Sequence, residues 1–527
     1  MNEETLKLIK EKGLLLEKEI YELIGSISDR GEAKEFLEVL EKSSGQKIIT
    51  KQSLNKNFEI VNKVVSNFPG SDKEKIEQVF IKMGLSVEVR KEREIVEKEG
   101  RKAGGEEKNV EERKKLSYKV ISPFTGNDRK LKVEDFVGNF RARYQQLQRI
   151  LMYRAELNGL VSINKIGRDR QSFSFIGIVS EKRVTKNKNM IIKFEDLTGE
   201  ISALVKVSNQ EVFSKAEEIL LDDVVGIRAS GNRDMVFVHD VIFPDSMVLE
   251  KTRFEEDVNV AFLSDLHVGG GKHLKESFEK FLDWVNSEDD YAKKIKYLFF
   301  IGDNVDGVGI FPGQENFLQL KSMKEQYAAL AEYLKKIPKR ITMFMCPGQH
   351  DAVRVAEPQP VISRNYAESL YEINNLVLVS NPSTIKLMEK EKEFKILMYH
   401  GDSIHSFIRE IRGLREMKAA KTPAKAIKYM LKKRHLFPLH GEAIYIPNSE
   451  RDPLIISEVP DVFCTGEVHR VDVENYNGVL CITGSCWQSP TAFEEKVGNL
   501  PDPGKVPVLN LKTRELKIFD FLSEESK

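Results

Sequence analysis

The sequence predicts a multidomain α+β chain with a helical N-terminal module, a small β-barrel and a C-terminal α/β layered domain. Three observations carry this expectation. Apolar residues recur three and four apart over residues 1–85. Short alternating runs broken by Asn, Gly and Asp fill residues 168–247. From residue 255 onward, apolar strand-like runs alternate with helical stretches, as β-α-β units require. The 527 residues suit roughly two to four domains of about 150 residues each. Lys and Arg total 82 and Asp and Glu total 82, which excludes a uniformly basic nucleic-acid binder but not local patches. The apolar fraction of 41% excludes wholesale disorder, whereas the charged fraction of 31% leaves room for a stretch without a core. None of the four cysteines, Cys346, Cys464, Cys481 and Cys486, lies in a CxxC pair, which argues against a zinc ribbon or a disulfide scaffold. No run of 18 apolar residues and no leader pattern is present, so the chain is expected to be cytoplasmic, without a membrane partner.

Residues 1–85 place LLLEKEIYELIGSI and AKEFLEVLEKSS on helices, and Ser71-Asp72 starts another, giving a module sized for docking a partner. Residues 86–130 are expected to be a charged flexible linker, because 19 of the 28 residues from 88 to 115 are charged and cannot bury a core. Residues 131–250 combine a helix, VEDFVGNFRARYQQLQRILMYRAELN, with strands SFSFIGIVSEKRV, NMIIKFEDLTGEISALVKV, DDVVGIRASGN and DMVFVHDVIFP. The segment IKFEDLTGEISALV has the strand–turn–strand form of an OB-fold hairpin, and OB-folds often hold single-stranded nucleic acid on aromatic platforms. Here Phe173, Phe175, Phe194 and Phe237 alternate along strands, which favours core packing over base stacking.

Residues 255–525 carry the chemistry. Apolar strands end in polar residues: Asp265 and His267 after VAFL, Asp303 after YLFFIG, Gln349, His350 and Asp351 after MFMCPG, His400 after ILMY, and Glu467 and His469 after VFCTG. A single Asp at a strand end is often only a helix N-cap. Carboxylates and imidazoles at five strand ends, where α/β sites form, instead describe a site for hard or borderline divalent ions. Asp303 is the candidate bridge between two ions about 3.5–4 Å apart, the spacing of two-metal phosphoryl chemistry.

The segments SDLHVG, GDNVDG, PGQHD, YHGD and GEVH resemble the five signatures of calcineurin-like metallophosphoesterases. In this order behind a helical module, a tether and an OB-like region, and with PGQHDAVRVAEPQP and MLKKRHLFPLHGEAIYIPNSERDPLIISEVPDVFCTGEVH, they resemble the small subunits of archaeal family D DNA polymerases over residues 130–525. That resemblance implies a calcineurin-like α/β metallophosphoesterase sandwich acting as a proofreading 3′–5′ exodeoxyribonuclease. It implies a large catalytic polymerase subunit as partner, the primer 3′ end as substrate, the sliding clamp as a further partner, and a place at the nucleoid. It also implies two divalent ions, manganese ahead of magnesium. By position, Asp265, His267, Asp303 and His469 would hold the first ion, and Asp303, Gln349, His400 and Glu467 the second. His350 and Asp351 would be the catalytic groups, His350 as the general acid or the stabiliser of the leaving oxygen. Two positions depart from the pattern. Gln349 stands where Asn is usual and offers the same amide oxygen one methylene further out, and Glu467 replaces an imidazole with a carboxylate. These departures predict reduced rather than lost activity, with a non-catalytic scaffold subunit as the alternative.

The segment 412–435 holds nine Lys or Arg and one acid. Lys425, Lys428, Lys432, Lys433 and Arg434 are therefore candidates for contact with a DNA backbone.

Overall fold

The computed structural model describes residues 9, 14–17, 20, 24, 27, 34, 36–41, 48–49, 117–123, 130–248, 250–491 and 501–522. The chain divides into two units, residues 1–90 and 91–527. Among the described residues of the first unit, 36–41 are helical, and Phe36, Leu37 and Leu40 are buried on one face. Leu15–Leu16 and Ile48–Ile49 pair as parallel strands. Helical periodicity does not reveal that pair, because two residues are too few to show a period of two. The start at Ser71-Asp72 and the charged stretch 88–115 lie outside the described residues.

The second unit opens with strand β1 (Ser117–Ile121) and helix α1 (Val133–Leu151). Strand β1 corrects the linker boundary, since these residues form an edge strand rather than a tether. Tyr118 and Val120 alternate along it and pack against the inter-sheet core, the Tyr118 ring lying edge-on to Phe344 at 4.9 Å.

A closed barrel follows. It comprises β2 (Gln171–Val184), β3 (Met190–Glu195), β4 (Glu200–Val205), helix α2 (Gln210–Glu217), β5 (Val224–Gly231) and β6 (Val236–Ile242). The strand order is β2-β3-β4-β6-β5, with β4 and β6 parallel and the other pairs antiparallel. Its alternating residues fill the barrel. Phe173, Phe175 and Phe194 are buried, the last two with centroids 5.4 Å apart, so they are core residues as their spacing indicates. Phe237 is half-buried, with the Lys206 ammonium 4.9 Å from its ring centre.

The remainder is a four-layer sandwich built from β7 (Asn259–Leu263), α3 (Lys275–Val285), β8 (Ile295–Ile301), α4 (Met323–Lys335), β9 (Thr342–Cys346), β10 (Leu376–Leu378), β11 (Ser383–Glu389), β12 (Lys392–Met398), α5 (Ser403–Glu410), α6 (Ala424–Lys433), β13 (Val462–Thr465), β14 (Asp472–Tyr476), β15 (Val479–Thr483), β16 (Lys505–Asn510) and β17 (Leu516–Asp520). One sheet runs β10-β9-β8-β7-β16-β17 and the other β14-β15-β13-β12-β11-β1. Strands β7 to β10 are mutually parallel, as are β12, β13 and β15. Strand β8 reads IKYLFFI because both its faces are covered. Tyr297, Phe299 and Ile301 face the other sheet, whereas Leu298 and Phe300 pack with Phe278 and Leu330 of the helical layer. Ile404, Phe407, Ile427 and Met430 cover the outer face of the second sheet. All four cysteines are buried and none forms a disulfide. Among the described residues, no helix is long and apolar enough to cross a membrane.

A buried ionic hub fastens α1 and the barrel to the sandwich. Arg143 Nε donates to Asp452 at 2.6 Å, and its Nη1 donates to the carbonyls of Pro438 and Asp222. The same Asp452 oxygen lies 3.0 Å from His435 Nε2 and accepts from Asn139. A second contact overturns part of the expectation for the basic segment. Lys433 is buried against Asp223, Lys432 pairs with Glu218 and sits 4.7 Å from the Phe243 ring centre, and Arg434 donates to the carbonyls of Ile456 and Ser457. These three cations bind the barrel and neighbouring loops and are not available to a phosphate backbone; a buried charge must have such partners. Lys425 and Lys428 are half-buried, and Lys428 lies over the Tyr429 and Tyr476 rings.

The hub yields a stability prediction. Asp452→Ala leaves Arg143 buried without its partner and should cost about 3–5 kcal/mol in denaturant unfolding. His435 accepts from the Phe437 amide at Nδ1, so it is held neutral, and burial with Arg143 nearby lowers its pKa. The unfolded chain takes up a proton there near pH 6.5 that the folded chain refuses, so stability is lost as pH falls below about 6.5. His435→Gln, which keeps a donor toward Asp452, should shrink the fall in melting temperature between about pH 7 and 5.

Candidate metal centre

The parallel strands of both sheets end at one edge, and five loops leave it carrying the residues singled out above. Asp265 and His267 follow β7, Asp303 follows β8, Gln349 and His350 follow β9, His400 follows β12, and Glu467 and His469 follow β13. Backbone bonds lock the loops together: Asp265 N donates to Gly302 O, His267 N to Asp303 O, and Gly466 N to His400 O. Asp265, His267, Asp303, Glu467 and His469 all have φ between 47° and 68°. Left-handed backbone at five non-glycine residues costs on the order of 1–3 kcal/mol each, and such strain concentrates at functional sites.

Three sets of ligand atoms each lie within 4.8 Å of one another: Asp265, His267 and His469; Asp265, Asp303 and His400; and His267, Asp306 and His350. Asp303 Oδ2 is central, 3.4 Å from His400 Nε2, 3.8 Å from His350 Nε2 and 4.0 Å from His267 Nε2. Glu467 Oε2 is 3.2 Å from His400 Nε2, and Asp265 Oδ1 is 3.4 Å from His469 Nε2. Burial would raise Asp303, but the cluster of His400, His350 and His267 holds its carboxyl well below the usual range. Burial would lower His400, yet Asp303 and Glu467 outweigh it and hold the imidazole well above its ordinary value. Glu467, raised by burial, is brought down to about 2 by His400 and His405. The field of the three carboxylates is one that divalent cations would satisfy.

The donor set fits such ions. Asp265 Oδ2 and Gln349 Oε1 are buried without a hydrogen-bond partner, and His400 Nε2 faces only the Asp303 and Glu467 carboxylates. His400 Nδ1 donates to Ile301 O at 2.9 Å, which leaves Nε2 as the ligand atom. Gln349 Nε2 donates to Asp402 at 3.0 Å, which leaves its carbonyl oxygen as the ligand atom. The motif glycines are needed for close approach. A Cβ at Gly348 would lie 2.2 Å from Asp303 Oδ1, at Gly302 2.2 Å from His400 Nδ1, and at Gly466 2.6 Å from Asp265 Oδ2.

His350 and Asp351 separate in role. His350 Nδ1 donates to Asp306 O at 2.7 Å, so its Nε2 is the nitrogen toward Asp303. Asp351, expected beside it as a catalytic group, instead braces the loop. One oxygen accepts from the Gly348 amide and from Asn304, and the other accepts from Tyr327. Burial, and then Asp303, push its carboxyl up to about 6.

Several neighbours were not evident from the strand-end pattern. Asp306 Oδ1 lies 3.3 Å from His267 Nδ1, Asn381 accepts from the His400 amide, and His405 lies 3.8 Å from Glu467. Asp306 is visible only as the last acid of GDNVD, while Asn381 and His405 stand in no motif.

Gly348→Ala should weaken manganese binding on the order of 10–100-fold in a calorimetric titration, because it displaces Asp303. Asp351→Asn should leave the ligand count intact and cost about 1–3 kcal/mol of stability in denaturant unfolding, because a carboxylate-braced loop loses a partner.

Residues 260–472 match the family model for the B subunits of DNA polymerases alpha and epsilon. The chain is 37% identical over 395 residues to the DNA polymerase II small subunit of Methanothermobacter thermautotrophicus, a match spanning 74% of this chain and 80% of that protein. The small subunit from Pyrococcus furiosus is 34% identical over 77% of this chain and 67% of its own length, and that from Thermoplasma acidophilum 36% identical over 74% and 78%. A solved archaeal phosphodiesterase overlaps 50% of this chain and 99% of its own, at 14% identity and a TM-score of 0.25. On the strength of the sequence relatives and the strand-end residues, the chain belongs to the archaeal DNA polymerase II small-subunit family.

Proposed function

We propose that this chain is a metal-dependent 3′–5′ exodeoxyribonuclease that proofreads for a large catalytic polymerase subunit. The observation that carries the reading is the convergence of Asp265, His267, Asp303, Gln349, His400, Glu467 and His469 on one edge, with Asp265 Oδ2 and Gln349 Oε1 left unpartnered. Asp265, His267, Asp303 and His469 would hold one divalent ion, and Asp303, Gln349, His400 and Glu467 a second, manganese or magnesium. When bound, such ions supply an activated water and neutralise charge at phosphorus.

The protein's own contribution is positioning and proton transfer. Burial would lower the His350 pKa, but Asp303 and the Asp306 carbonyl outweigh it and favour the imidazolium. With Nδ1 tied to Asp306 O, Nε2 is the atom that donates a proton to the departing 3′ oxygen as the P–O bond breaks. The products are then a 5′-mononucleotide and a strand shortened by one. Gln349 is kept in place by Asp402, so its extra methylene does not free it from the site.

The barrel is read as an OB-fold. Its order places the fifth strand between third and fourth, closes with a parallel third–fifth pair, and carries a helix between third and fourth strands. With the N-terminal unit it would dock the large subunit, and the sliding clamp is a further candidate partner.

A 3′-mismatched, end-labelled primer incubated with manganese should release mononucleotides from the 3′ end, with and without the large subunit. His350→Ala should lower kcat about 10²–10⁴-fold while the calorimetric metal stoichiometry is unchanged. Absence of release even in the assembled complex would favour the scaffold role, with the paired replacement of Gln349 by Asn and Glu467 by His then testing the cause.

A further inference from the structure

We propose that the loop from Gly307 to Leu318 is a stacking platform that receives unpaired bases at the 3′ end of a DNA strand entering the metal centre. The inference rests on the nuclease reading above and names how its substrate is held.

The loop displays apolar side chains to solvent. Val308, Ile310, Phe311 and Phe317 are 43%, 39%, 47% and 67% exposed. The Phe311 and Phe317 ring centres are 6.4 Å apart at 43°, so neither ring covers the other. Phe311 and Phe317 are the phenylalanines among the described residues that stand exposed, and clustered apolar exposure marks a contact surface.

Polar contacts fix the loop, with Ile310 lying against Gly307. Two buried glutamines fix it. Gln314 accepts from the Ile310 amide and donates to Asp306 O, and Gln326 accepts from the Gly307 amide and donates to the carbonyls of Gly307 and Leu320. Gly271 N adds a bond to Phe317 O at 2.8 Å. The rings are thus presented on a braced backbone at no cost in side-chain packing.

The root of the loop lies in the metal centre. Asp306, next to Gly307, touches His267 through its carboxylate and holds His350 through its carbonyl. A Cβ on Gly307 would meet His350 O at 2.5 Å, so loop and catalytic loop are in contact. Exposed Lys272, beside Gly271, and exposed Lys321, whose ammonium bonds to Glu315 O, flank the rings with positive charge. Aromatic rings interleaved with cations are the recipe for holding a single strand, with stacking contributing about 1–3 kcal/mol per base. A protein partner would have less use for a surface hinged on the two histidines of a hydrolytic site.

The test uses the full chain, alone and assembled with the large subunit. The probe is a single-stranded oligonucleotide with 3′-terminal 2-aminopurine and a phosphorothioate at the last linkage to block cleavage. Wild-type protein should quench the 2-aminopurine on binding in manganese. Phe311→Ala and Phe317→Ala should each weaken binding about 5- to 150-fold and abolish the quench, with an unchanged unfolding midpoint. Phe317→Trp should restore both, and on cleavable primer the alanine variants should raise KM more than they lower kcat. Unchanged affinity and quench in both alanine variants would overturn the proposal. So would loss of co-purification with the large subunit at unaltered DNA affinity, which would make the loop a subunit interface. Intact ring-dependent binding without mononucleotide release would support the platform while the nuclease reading fails.

Discussion

The second unit is organised around one electrostatic constraint, a buried Asp303 carboxylate that must remain charged. It is nearly sealed from water and lies within 4.0 Å of three imidazoles from three different loops. An ionised carboxylate at such depth is tolerated only with close compensating groups, here imidazoles and the divalent ions the site would hold. The imidazoles come from loops that follow strands of both sheets, so the sheets meet at this edge. The five left-handed residues and the three close-approach glycines are the local consequences of bringing so many loop ends to one point.

That strain has to be held by something that is not itself a ligand. Asp351 serves this purpose, joining the Gly348 turn, Asn304 and helix α4 through Tyr327. Asn381 and Asp402 do the same on the other sheet, one fixing the His400 backbone and the other the Gln349 amide. The two departures from the usual motif are accommodated in this way. Asp402 holds the Gln349 nitrogen, and Glu467 is balanced by His400 and His405. Removing a ligand and removing a brace should therefore be distinguishable, the first changing metal stoichiometry and the second stability.

The basic helix α6 shows how the same charges can serve assembly instead of recognition. Lys432 and Lys433 meet Glu218 and Asp223 across the barrel contact, and Arg434 is spent on carbonyls. With Arg143, Asp452 and His435 they give a polar, hydrogen-bonded junction between barrel and sandwich. Positive charge near the candidate site is left to more exposed positions such as Lys272 and Lys321.

The sequence by itself determined the layered α/β domain, the small barrel and the identity of the candidate ligands. Each of these is written locally: a buried strand such as IKYLFFI is continuous in apolar residues, and every ligand follows directly on such a strand. Local pattern did not set apart edge strand β1, only five residues long and directly behind a charged run, or the paired two-residue strands near the N-terminus. Nor could it separate His350 from its neighbour Asp351, or expose Lys433 as a buried ion-pair partner, because spacing along a chain does not say which way a side chain turns. The tertiary structure decided these points, along with Asp306, Asn381 and His405, since long-range partners such as Tyr327 and Asp223 exist only once distant segments have packed.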